Sequence, residues 1–282
     1  MRPTRSLLII FLLLAFLLLL YFSSQKKSNY HYKNKFKSHK AISKTSPKKP
    51  APLLKTIPPN TEIPTYTSGE QIIRHTAFTL CYDEKHEQAK WVAYKLSAEM
   101  LNGSVTRTNN FREDPIVKTI SASPGDYYRS GYDRGHLCPA GDMKISTNIM
   151  SETFFMSNMS PQKPGFNRGI WKKLEEQVRS WATQNEEIYI VTGGVLNGNL
   201  QTIGSNRVTV PHYFYKVIVD LKEPDIKGIG FILPNEPATQ HIENFAVTID
   251  LVEKFTGLDF FPALPDSVEE WLEGGVEAGD WW

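Results

Sequence analysis

The sequence predicts an α+β domain: an antiparallel central sheet flanked by helices. Three observations lead there. Candidate strands follow one another through the second half with few helices between them, unlike the regular alternation that builds a parallel sheet. Apolar residues at helical spacing are confined to short segments able to cover such a sheet. The chain has 282 residues, 40% of them hydrophobic and 12% aromatic, enough to bury one substantial core. No internal repeat or linker-like interruption follows Tyr66, so residues 62–282 are read as one domain.

The N-terminal end differs from the rest. Arg2 and Arg5 precede an unbroken apolar run from Leu7 to Phe22. The run sits at the upper edge of a signal-peptide core and just short of the ~20 residues that span a bilayer comfortably. Residues 1–24 therefore read as a signal peptide or signal anchor. The expected location is extracytoplasmic, either membrane-anchored through this segment or secreted. From 25 to 61 the chain carries ten lysines, no acid and five prolines (Pro47, Pro50, Pro52, Pro58, Pro59), the composition of a disordered basic tether.

Net charge is +2, but it is split. Every acid lies after residue 61, where 20 basic residues meet 30 acidic ones, a net of −10. An acidic domain argues against a broad nucleic-acid-coating surface and for a local site that handles phosphate with a metal and a few arginines. The stretch Asp266 to Trp282, with six acids and no base, reads as a solvated tail. Two cysteines, Cys81 and Cys138, are too few for a disulfide scaffold or paired zinc ligands, and whether they bridge is left open.

In chain order, Thr76 to Tyr82 alternates as a strand, and His86 to Met100, rich in Ala, Lys, Glu and Leu, reads as a helix. A loop leads to Asp133. Ile170, Trp171, Leu174, Val178 and Trp181 form a helical stripe within 168–184. Strands are expected at 188–192, 208–221 and 228–233. Thr248 is placed to cap a helix that ends at Gly257, a residue suited to a left-handed cap.

The chemistry concentrates in Asp133-Arg134-Gly135-His136-Leu137-Cys138-Pro139, followed by Asn158-Met159-Ser160-Pro161-Gln162 and by Asn167, Trp171 and Glu175. A lone histidine is more often structural than catalytic. Here an arginine stands two residues before it, with a glycine between that permits close backbone approach. Phosphodiester hydrolysis needs a base, a cation and stabilisation of the leaving oxygen, and histidine, arginine and a hard-oxygen metal site supply these. On one straight helix Asn167 and Glu175 lie ~12 Å apart along the axis. A magnesium ligand sits at about 2.1 Å, so both are not direct ligands, and Glu175 holding the ion's waters is the economical arrangement.

Together these motifs resemble the DNA/RNA non-specific endonuclease family, from about Thr76 to Pro262, including Arg107 to Asp114 and Thr256-Gly257-Leu258. The resemblance implies a ββα-metal active site and hydrolysis of DNA and RNA to 5′-phosphorylated products. It implies His136 as general base, Asn167 as the direct Mg2+ ligand and Glu175 acting through metal-held water. Mn2+ is a plausible substitute. Arg107 and Arg134 would bind the phosphate, and Asn158 would help position His136 or substrate. Asp133 and Asp142 read as loop hydrogen-bonders, Trp171 as core, and Cys138 as a small buried side chain. The expected partners are DNA and RNA, and the membrane if the first segment is uncleaved; a homodimer stays open. Two other functions compete: a phosphodiesterase of the same fold acting on small nucleotides, and a non-catalytic, membrane-tethered nucleic-acid-binding module.

Overall fold

The protein is described by a computed structural model covering residues 52–275 and 281–282. The predicted targeting segment and most of the predicted tether lie outside these residues. The end of that tether is already part of the fold: Leu54 is 7% exposed and its amide is held by Glu223, and Thr61 is fully buried.

Seven strands make one antiparallel sheet: β1 (Gln71–Arg74), β2 (Thr79–Asp83), β3 (Gln88–Ser97), β6 (Glu187–Gly194), β9 (Tyr213–Asp220), β10 (Lys227–Pro234) and β11 (Ala246–Val247), in that spatial order. A separate two-stranded ribbon pairs β4 (Asp133–His136) with β5 (Met159–Gln162), and a small one pairs β7 (Thr202–Ile203) with β8 (Val208–Thr209). The helices are α1 (Ala98–Leu101), α2 (Thr147–Glu152), α3 (Lys172–Asn185), α4 (Ile249–Thr256) and α5 (Asp266–Gly274). The α+β reading stands.

Three local expectations change. Residues 86–100 form strand β3 and only a single helical turn. Trp91, Val92 and Tyr94 are aromatic or β-branched, and pairing on both edges with β2 and β6 buries them, so tertiary burial overrides the helical bias of Ala, Lys and Glu. The strand expected at 208–221 is broken at Pro211, which cannot donate to a ladder. The acidic C-terminal stretch is not a solvated tail. It folds as α5, burying Val268 and Leu272, and Trp281 packs against Trp181 of α3 with ring centroids 4.8 Å apart. Asp266 and Glu270 face outward while Glu269 and Glu273 are half-buried, an amphipathic pattern that net charge alone conceals.

Helix α4 behaves as read. The Thr248 hydroxyl accepts from the Leu251 amide at 3.2 Å, and Gly257 closes the helix at φ 76°. The main core lies between α3 and one sheet face, where Leu174, Val178 and Trp181 meet Tyr94, Ile190, Ile218 and Phe231.

Candidate active site

The ribbon β4–β5 and the start of α3 bring the sequence motifs together. Asp133 pairs with Gln162, and His136 with Met159. Gly135 is required by its neighbour across the ribbon: a Cβ there would lie 2.2 Å from Cδ of Gln162. That glycine makes room for a buried side chain, whereas the sequence suggested room for a ligand.

From β5 the chain enters a wide π-type turn, Phe166–Trp171, kinked at Gly169 (φ −107°, ψ −109°), and only then runs as regular helix from Lys172. Asn167 and Glu175 therefore stand on opposite sides of a break, and the straight-helix separation expected between them does not apply.

His136 is 7% exposed, and its buried Nε2 has no hydrogen-bond partner among the described residues. Phe111 and Phe154 pack against the imidazole in T-shaped contacts, at 5.7 and 4.9 Å between centroids. The Arg134 guanidinium lies 4.0 Å over the Phe111 ring and that of Arg107 4.9 Å over Phe154. Burial, with Arg107 and Arg134 adding positive field, lowers the His136 pKa to about 3. The imidazole is thus neutral, with a lone pair or a proton available at an uncommitted nitrogen.

Asn158 is fully buried and saturated. Its Oδ1 accepts from the Cys138 amide at 2.9 Å, and Nδ2 donates to the carbonyls of Cys138 (2.9 Å) and Thr153 (2.8 Å). It clamps the loop two residues beyond His136 and has no donor left for a substrate.

Asp133 is a hub. It accepts from Asn167 Nδ2 at 3.0 Å and takes a two-pronged contact from Arg168 at 2.8 and 2.7 Å. Burial alone would raise its pKa, but the Arg168 and Asn167 hydrogen bonds and the Arg168 charge outweigh it, and the carboxyl is held below its ordinary value. With its NH2 committed to Asp133, Asn167 keeps Oδ1 for another use.

Glu175 is partly buried, and burial raises its pKa to about 7. Asp142 adds to the rise, while Lys216, Arg179 and Arg107 oppose it. Asp142 itself is 1% exposed and accepts from Tyr94 (3.0 Å) and Arg179 (3.0 Å). Sequence reasoning missed Arg179, Tyr94 and Lys216, as well as the two phenyl walls Phe111 and Phe154. Arg179 was findable, one helical turn after Glu175 on the same stripe. Lys216 was legible too, as a lone cation inside the strand Tyr-Phe-Tyr-Lys-Val-Ile-Val. Trp171 and Cys138 are buried as expected, and both cysteines are free.

A buried neutral histidine on a two-stranded ribbon, feeding a helix that carries an amide and a carboxylate, is the arrangement of the ββα-metal fold. The chain belongs to the DNA/RNA non-specific endonuclease family, whose model matches residues 58–267. It is 37% identical over 214 residues to the mitochondrial nuclease EXOG of Danio rerio, covering 70% of this chain and 62% of that protein. It is 35% identical over 207 residues to mitochondrial endonuclease G of Homo sapiens, covering 68% of this chain and 70% of that one. The match thus spans less than two thirds of the Danio rerio relative. Among solved structures, the EndoG/EndoGI complex matches with a TM-score of 0.67 and 31% identity, over 71% of this chain and 89% of that chain.

These relatives overturn the expectation of an extracytoplasmic protein, because they are mitochondrial nucleases. Among the described residues no helix is long and apolar enough to cross a membrane. An apolar run behind Arg2 and Arg5 does not by itself say which membrane system it addresses.

Proposed function

We propose that the protein is a divalent-metal-dependent nuclease that hydrolyses the backbones of DNA and RNA without regard to sequence, leaving 5′-phosphates. The observation that carries this reading is the neutral, unpartnered Nε2 of His136 flanked by Arg107 and Arg134. His136 takes a proton from the attacking water as the new bond to phosphorus forms and the bond to the 3′ oxygen breaks. An anionic phosphodiester held by the two arginines offsets the positive field that depresses the imidazole, which raises its basicity once substrate is bound.

The donor set fits a hard divalent cation. With its Nδ2 bound to Asp133, Asn167 would offer the ion its amide oxygen, and Glu175, beyond the kink, would hold the ion's waters. Mg2+ is the proposed ion, with Mn2+ as substitute. When bound, it supplies positive charge at the phosphate and the leaving 3′ oxygen. Asn158 acts only by fixing the His136 loop.

The test is incubation of the purified chain with supercoiled plasmid and with RNA, in Mg2+ and then in chelator, alongside His136→Ala. Cleavage of both polymers is expected only with metal, and His136→Ala should lose roughly 10²–10⁴-fold in rate. A folded, Mg2+-binding chain that leaves both polymers intact refutes the reading. Cleavage of dinucleotides alone would redirect it to small phosphodiesters.

A further inference from the structure

Lys216 is 0% exposed, and among the described residues its Nζ has no hydrogen-bond partner. It sits on β9 in the middle of the sheet, in register with Thr192 of β6 and Phe231 of β10. Its ammonium lies 4.9 Å from the ring of Trp171, the last residue before α3. Glu175 is four residues further along, one turn up the same face. A fully buried ammonium without a hydrogen-bonded partner is costly and calls for a compensating charge.

We propose that Lys216 is a positioning residue of the site: its buried ammonium is the counter-charge that holds the Glu175 carboxylate in place from beneath the helix. The neighbouring groups support this pairing. Asp142 is already held by Arg179 and Tyr94. The Arg107 Nε donates to Asn109 and its guanidinium lies over the Phe154 ring. Burial pulls the Lys216 pKa down, and Glu175 is the foremost charge acting against that pull. Lys216 cannot touch substrate, since the sheet and Trp171 cover it.

The inference rests on the nuclease reading, and its test is a double-mutant cycle with Lys216→Met, Glu175→Gln and both together in the full chain. Plasmid cleavage and thermal melting are followed for each. Lys216→Met should lower kcat at least about tenfold with KM for DNA within about threefold, the usual effect of removing a group that orients a metal-site residue. In the Glu175→Gln background the same change should cost nothing further. Its loss of melting temperature should also be smaller there, because no buried carboxylate is left uncompensated.

Wild-type kcat in Lys216→Met, or losses that add in both rate and melting, would overturn the proposal and leave Lys216 a packing residue. If Lys216→Met does not fold, Lys216→Arg and Lys216→Gln replace it. The arginine variant should then keep more activity than the glutamine variant, and equal activities defeat the idea. Absence of cleavage by the wild type would instead refute the nuclease reading, and the melting cycle would still decide whether the two charges are coupled.

Discussion

Replacing Asn158 by alanine removes three hydrogen bonds, each between 2.8 and 2.9 Å, from a site with no access to water. The Cys138 amide and the carbonyls of Cys138 and Thr153 lose their side-chain partner. A net bond is worth about 1 kcal/mol and a stranded buried group about 1–3 kcal/mol, so the total loss is about 3–5 kcal/mol. For a domain of this size that corresponds to a fall in Tm of roughly 6–20 °C, read by differential scanning calorimetry. Activity should fall further than stability explains, because the released segment begins two residues after His136. Asn158→Asp separates the two halves of the clamp. It keeps an acceptor for the Cys138 amide but sets a carboxylate against two carbonyl oxygens, so it should be no more stable than the alanine variant. An aspartate variant with wild-type melting and rate would refute the clamp as described, and an alanine variant with unchanged Tm would refute the accounting of the three bonds.

Asp133→Ala frees the Asn167 amide to rotate, so calorimetric Mn2+ affinity should drop roughly 10–100-fold with little loss of fold, while unchanged affinity would remove Asn167 from the ligand set. Burial, then the charges of Glu253 and Glu269, raises the Glu273 pKa to about 8. Its folded pKa lies above its unfolded one, so its contribution is complete below about pH 4.5 and lost as pH rises through about 8. Glu273→Gln should therefore raise Tm at pH 8.5 and leave it unchanged at pH 4, and a pH-independent difference would count against the shift. Trp281→Ala strips the cover from Trp181 and should cost about 3–5 kcal/mol by chemical denaturation, a value near zero showing that the C-terminal end does not belong to the core. His136 is buried neutral, so between pH 6.5 and about 3 it favours the unfolded chain, and His136→Phe should flatten the acid limb of the stability profile.

Much of the site was legible because its chemistry is written in local spacing. Asp133 to His136, Asn158 to Gln162, and Asn167 with Glu175 fall on β4, β5 and the turn and helix that follow, and the ribbon's register brings the first two together. The cap at Thr248 and the stop at Gly257 were legible for the same reason, since both are decided within a turn of backbone. What escaped was decided at long range. Strand β3 is a strand because β2 and β6 flank it and bury Trp91, Val92 and Tyr94, against the helical bias of its Ala, Lys and Glu. Tyr94 and Arg179 come from separate elements and meet at Asp142 only through the packing of α3 on the sheet. The acidic end misled because charge was read without its period, and Val268 and Leu272 mark the face that composition averages away.

The aromatic pair around His136 serves as a spacer as well as a wall. Phe111 and Phe154 meet edge to face at 5.0 Å, each in a T-shaped contact with the imidazole while a guanidinium rests on one of its faces. Each guanidinium is thereby seated on a ring that also packs against the base. A leucine in either place would still exclude water, yet it would offer no flat face for the cation and no fixed width. On the proposed function, these two rings are what seats the phosphate-binding arginines beside the proton acceptor.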